Sequence, residues 1–114
     1  MVTCFDIVSM AVEEATEKYA GKYHLNHTDF GYLETYCEII DSLADEFDVS
    51  SFEVYINEKD MTIAVCMECE EVIVSHADHA FYALAENSIF VYFTATHGDN
   101  MQIKFVFPSV WRRV

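Results

Sequence analysis

The chain has 114 residues, the size of one domain, with 53% apolar residues and a net charge of −14 from twenty acids against six bases. That apolar and aromatic content suffices for a packed core and excludes a disordered chain. The bases are scattered in sequence apart from Arg112-Arg113, so there is no basic run of the kind that neutralises nucleic-acid phosphates or anionic lipid headgroups.

No apolar run reaches the ~18–20 residues of a membrane helix. Met1 to Val12 contains Asp6 and lacks the basic flank of a secretory leader. Cys4, Cys37, Cys66 and Cys69 lie in apolar surroundings and read as reduced thiols, which together with the charge predicts a cytoplasmic protein.

The first element is a helix. Thr3 with Asp6 three residues on forms a capping-box pattern, and Val2 and Ile7 hold the staple positions. Phe5, Val8, Val12, Ala15 and Tyr19 share its apolar face. Gly21 is the expected stop, with Lys18 and Lys22 near the negative end of the dipole. A second helix opens the same way at Asn26 and Asp29. It carries Phe30, Leu33, Cys37, Ile40, Ala44 and Phe47 as its buried stripe.

After Asp48 the period changes to two. Phe52, Val54 and Ile56 alternate with Glu53, Tyr55 and Asn57, and Asn57 to Asp60 form a hairpin loop. Met61 to Met67 reads as a central strand covered on both faces, ended by the acids of Glu68 to Glu71. Val72-Ile73-Val74 is a further short strand or a continuation past a bulge. Ser75 and Asp78 cap a short third helix whose stripe is Ala77, Ala80, Phe81 and Leu84. Strands Ile89 to Ala95 and Met101 to Phe107 follow, joined by a turn at His97 to Asn100. Pro108 ends the last strand, and Ser109 to Trp111 is predicted as a turn whose indole packs back on the domain. The order ααββ(β)αββ predicts a single α+β domain over residues 1–114. In it two N-terminal helices and a short third one pack on one face of a mainly antiparallel 4–5-stranded sheet.

Three constellations carry potential chemistry. Glu34, Glu38, Asp41, Asp45 and Asp48 repeat at steps of four and three on the second helix. Such a row of carboxylates, ~4.5–6 Å apart along the axis, approximates the spacing of phosphates on a nucleic-acid strand. It suits either a basic protein partner or imitation of a phosphate backbone; an ordinary solvated helix face has the same pattern. Residues 1–50 hold eleven acids and two bases, which concentrates the charge there. Secondly, Cys66, Cys69, His76 and His79 combine CxxC with HxxH, the donor types that zinc prefers. The six-residue gap between the two pairs is short for a zinc finger, and an extended chain sends Cys66 and Cys69 to opposite faces. Redox use of the CxxC is disfavoured by Glu68, Glu70 and Glu71, which raise a thiol pKa. Thirdly, Tyr55, Phe90, Tyr92 and Phe107 present an aromatic surface if one sheet face is left uncovered, which suits a homodimer.

No glycine-rich phosphate loop, nucleophile elbow or calcium loop is present in the sequence. The reading is a non-enzymatic accessory or regulatory protein acting through protein–protein contact, with no cofactor. It binds neither nucleic acid nor membrane directly. Phosphate mimicry against a nucleic-acid-handling protein and a small zinc domain are its two alternatives.

Overall fold

A computed structural model describes residues 3–49, 51–70, 78–87, 89–96 and 98–114. Helix α1 runs Cys4–Lys18 and opens on a reciprocal capping box. Thr3 Oγ1 accepts from the Asp6 amide at 3.1 Å, and the Asp6 carboxylate accepts from the Thr3 amide at 3.0 Å. The next free amide, that of Cys4, donates to the Asp41 carboxylate at 2.8 Å, so a residue 37 positions away completes the cap. The helix ends at Tyr19 without help from Gly21, because Gly98 is the glycine with positive φ among the described residues. The chain instead turns into a three-residue strand, β1 (Tyr23–Leu25), which the sequence did not announce.

Helix α2 (His27–Glu46) is capped as expected by Asn26, whose side chain accepts from the Asp29 amide at 2.9 Å. The Asp29 carboxylate pairs with Arg112 at 2.7 Å. The other end closes with two bonds, Val49 N–H to Ala44 carbonyl at 2.8 Å and Asp48 N–H to Asp45 carbonyl at 3.3 Å. Asp48, at φ 56°, takes the left-handed position usually given to glycine.

Strands β2 (Glu53–Asn57), β3 (Thr62–Glu70), β4 (Phe90–Ala95) and β5 (Asn100–Phe107) form one antiparallel sheet in the order β2-β3-β5-β4. Helix α3 (Asp78–Glu86) lies between β3 and β4 in sequence. Its expected Ser75 cap, like the Val72-Ile73-Val74 strand, lies outside the described residues. The predicted α+β architecture is the one observed, with helices on one sheet face. Three details differ. β3 does not stop before Glu68, since buried Met67 and Cys69 keep the period of two through it. β3 is central, but among the described residues no helix covers its second face. Ser109 to Trp111 is not merely a turn: Trp111–Arg113 forms β6, which pairs with β1 as a separate two-stranded sheet.

The core lies between the helices and the covered sheet face. Val8 and Val12 of α1 and Leu33, Cys37 and Ile40 of α2 pack against Ile63, Val65, Ile103, Phe105 and Phe107. Trp111 closes its far end, 4% exposed, and its indole N–H donates to Thr16 Oγ1 at 2.9 Å. No described helix is long and apolar enough to cross a membrane.

Candidate functional site

The sheet register sorts the aromatic residues. Tyr55 opposes Ala64, Ala64 opposes Val106, and Val106 opposes Phe90, so these four form one row across all four strands. The adjacent row is Glu53, Cys66, Lys104 and Tyr92, and Glu68, Gln102 and Thr94 lie beyond it. Directly opposed residues share a face, and the buried Ile63, Val65, Phe105 and Phe107 alternate with these rows on the other side. Phe90 is 62% exposed, and Tyr55 and Tyr92 are each 54% exposed. Among the described residues this uncovered face is therefore an aromatic stripe beside one lysine and two glutamates. The Tyr55 hydroxyl donates to the Glu53 carboxylate, which pushes the phenol pKa up. Glu68 accepts from the Thr96 hydroxyl.

Phe107 corrects the expected set. It opposes Ile63 on the covered face and stacks on Tyr36 at 6.0 Å between ring centroids. The sequence missed Ala64 and Val106, which link the exposed aromatics. Only the pairing register places them, and single-strand alternation does not give it.

The acidic row on α2 divides. Glu34, Glu38, Asp45 and Asp48 are exposed, and neither of the two ion pairs found among the described residues involves them. Asp41 is turned inward onto the start of α1. Asp45, Glu46 and Asp48 crowd the negative end of the α2 dipole, where the last turn holds no basic residue. That placement opposes helix stability.

Three of the six bases, Lys18, Lys22 and Arg113, lie near one another in space. Lys22, Arg113, Tyr19, Tyr23 and Glu58 line a shallow groove at the end of α1, with Lys18 paired to Glu58 at 3.1 Å on its rim.

Of the four zinc candidates, Cys66 lies on the uncovered face between Glu53 and Lys104, and Cys69 points into the core. Chelation of one ion by both sulfurs requires β3 to break between them. His76 lies outside the described residues, as does the side chain of His79.

All four cysteines are free and buried. The Cys4 thiol is pushed far up, first by its hydrogen bond with Cys37 and then by burial and the nearby Asp41 charge. Burial also raises Cys66 and Cys69, with Lys104 partly offsetting the effect at Cys66. Thiolate is the reactive form. The native protein at pH 8 is therefore expected to react with a thiol reagent roughly 100-fold more slowly than the unfolded chain, limited by opening. Mass-resolved alkylation should find Cys66 modified first; fast modification of Cys4 would contradict this packing.

Comparison with known protein families, curated proteins and solved structures gave no match.

Proposed function

We propose that this protein is a non-catalytic accessory or regulatory module that acts by binding another protein chain through the uncovered face of its sheet. One observation carries the reading: the apolar row Tyr55–Ala64–Val106–Phe90 runs across all four strands, with exposed aromatic rings at its two ends and Tyr92 beside it. Contiguous apolar surface of this kind marks an interface more often than scattered exposed residues do. Aromatic side chains also dominate the energetics of protein contacts.

A second reading rests on the exposed carboxylates of α2, which suit a basic partner or imitate a phosphate backbone. The crowding of Asp45, Glu46 and Asp48 at an unfavourable helix end favours it. The two readings separate by affinity capture from cell extract at low and high salt, with two variants of unchanged thermal stability. One is Tyr55→Ser/Phe90→Ser/Tyr92→Ser. The other neutralises Glu34, Glu38, Asp45 and Asp48 to the amides and spares Asp41. A partner that survives high salt and is lost at least tenfold with the first variant supports the sheet face. A partner released by salt and lost with the second variant moves the function to α2. A partner indifferent to both variants removes both surfaces.

A further inference from the structure

The uncovered face ends at β4, and that edge is built unlike its counterpart. At the other end of the sheet β2 begins with Glu53 and runs into Glu58, Lys59 and Asp60, the charges that guard exposed edges. β4 reads Phe-Val-Tyr-Phe-Thr-Ala and carries no charge, proline or glycine. It lies inside Asn87 to Gly98, the longest stretch of the sequence without an acid, lysine or arginine. Among the described residues its one strand partner is β5.

The pairing with β5 fixes which main-chain groups point outward. The Thr96 amide donates to the Asn100 carbonyl at 3.1 Å across the hairpin. In an antiparallel ladder, bonded pairs alternate with non-bonded ones. Residues 90, 92, 94 and 96 therefore exchange bonds with β5, and Val91, Phe93 and Ala95 turn their amides and carbonyls away from it, to an edge that no other described strand pairs.

We propose that this edge pairs with β4 of a second copy of this chain, antiparallel and centred on Phe93, to give one continuous eight-stranded sheet. The proposal goes beyond the protein-binding reading above: it concerns this edge of the sheet, not the uncovered face. In this register Phe93 opposes its own copy, and Val91 opposes Ala95 in both directions. All three outward residues are thus satisfied reciprocally, as a two-fold interface requires. The rings gain as well: Phe93, 46% exposed and held edge-on by Phe81 at 5.3 Å, meets its symmetry mate. The edge strand itself adds no carboxylate to a contact between two acidic chains. Each copy carries a net charge of −14, so the two repel and salt strengthens the pairing. An interface of one strand and its rings is small, which sets the dimer in roughly the micromolar range.

The test is sedimentation of the full chain across concentration at low and high salt, with Ala95→Pro and Thr94→Lys alongside. Proline at position 95 removes an outward donor and leaves the β5 ladder intact; the Thr94→Lys change sets a charge on the edge. The expected result is a dimer that tightens with salt and is weakened at least tenfold by each variant, with melting of the monomer unchanged. A chain that stays monomeric at every concentration overturns the edge pairing and leaves the face open to another protein. A dimer insensitive to Ala95→Pro and lost with Tyr55→Ser/Phe90→Ser overturns the edge in favour of face-to-face packing. Dimers that loosen as salt rises also overturn it.

Discussion

Trp111→Ala is expected to destabilise the protein by about 3–5 kcal/mol. The indole is 4% exposed and does three things at once. It fills the end of the core, and it donates to Thr16 Oγ1 at 2.9 Å while Thr16 itself donates to the Val12 carbonyl at 2.7 Å. It also anchors β6, whose pairing with Tyr23–Leu25 is the tie between the C-terminal segment and the loop between α1 and α2. The neighbouring backbone adds to that tie: the Asn26 amide donates to the Val110 carbonyl at 2.8 Å and the Val114 amide to the Lys22 carbonyl at 2.9 Å. Truncation therefore leaves a cavity, an undonated hydroxyl and a loosened two-stranded sheet. Trp111→Phe keeps much of the ring volume and is expected to cost roughly 1–2 kcal/mol, the hydrogen bond plus a small void. Thermal melts followed by far-UV circular dichroism measure both. Equal losses for Phe and Ala would mean that the indole N–H, not the packing, holds this end together.

The features legible in the sequence are those encoded within a few residues of themselves. Thr3 with Asp6 and Asn26 with Asp29 mark both N-caps because a cap is a contact between residues three apart. The helix stripes belong to the same class, as does the β2–β3 hairpin, although its loop is Glu58–Met61 rather than the expected Asn57–Asp60: Asn57 pairs with Thr62, and Met61 takes a left-handed φ of 54° in the turn. The illegible features are made by partners far apart. Tyr23-His24-Leu25 is too short to show a period, and it becomes a strand only because Arg113, Arg112 and Trp111 arrive beside it. Glu68 reads as an interruption until the uncovered face is known, after which it is an ordinary outward residue of β3. The candidate surfaces divide in the same manner. Alternation singles out Tyr55, Phe90 and Tyr92, but it groups Phe107 with them because it does not say which set of a strand meets the helices. The even spacing of the α2 carboxylates likewise says nothing about Asp41's contact with Cys4.

That contact supports the second large prediction: Asp41→Ala should destabilise the fold by about 1.5–3 kcal/mol, and Asp45→Ala should leave it unchanged or slightly more stable. The two residues are four apart on one helix and look alike in sequence. Asp41 accepts from the Cys4 amide at 2.8 Å in a partly buried contact between the two helices. Its charge faces the positive end of the α1 dipole, where a carboxylate is favourable. Its removal leaves a free amide at the first turn, and the other groups there are already engaged: Thr3 and Asp6 serve each other. Asp45 is exposed near the negative end of α2, where its charge is unfavourable. Asp41→Asn discriminates charge from bond. Its amide oxygen still accepts from Cys4, so a loss well below that of alanine assigns the effect to the hydrogen bond, and a loss equal to alanine's assigns it to the charge. Chemical denaturation of the three variants beside the parent reads these differences directly as shifts in midpoint at constant slope. Equal stability of all three would show that α1 is held by its Thr3 cap and apolar stripe alone. The Asp41 charge would then be as free to meet a partner as its neighbours on α2.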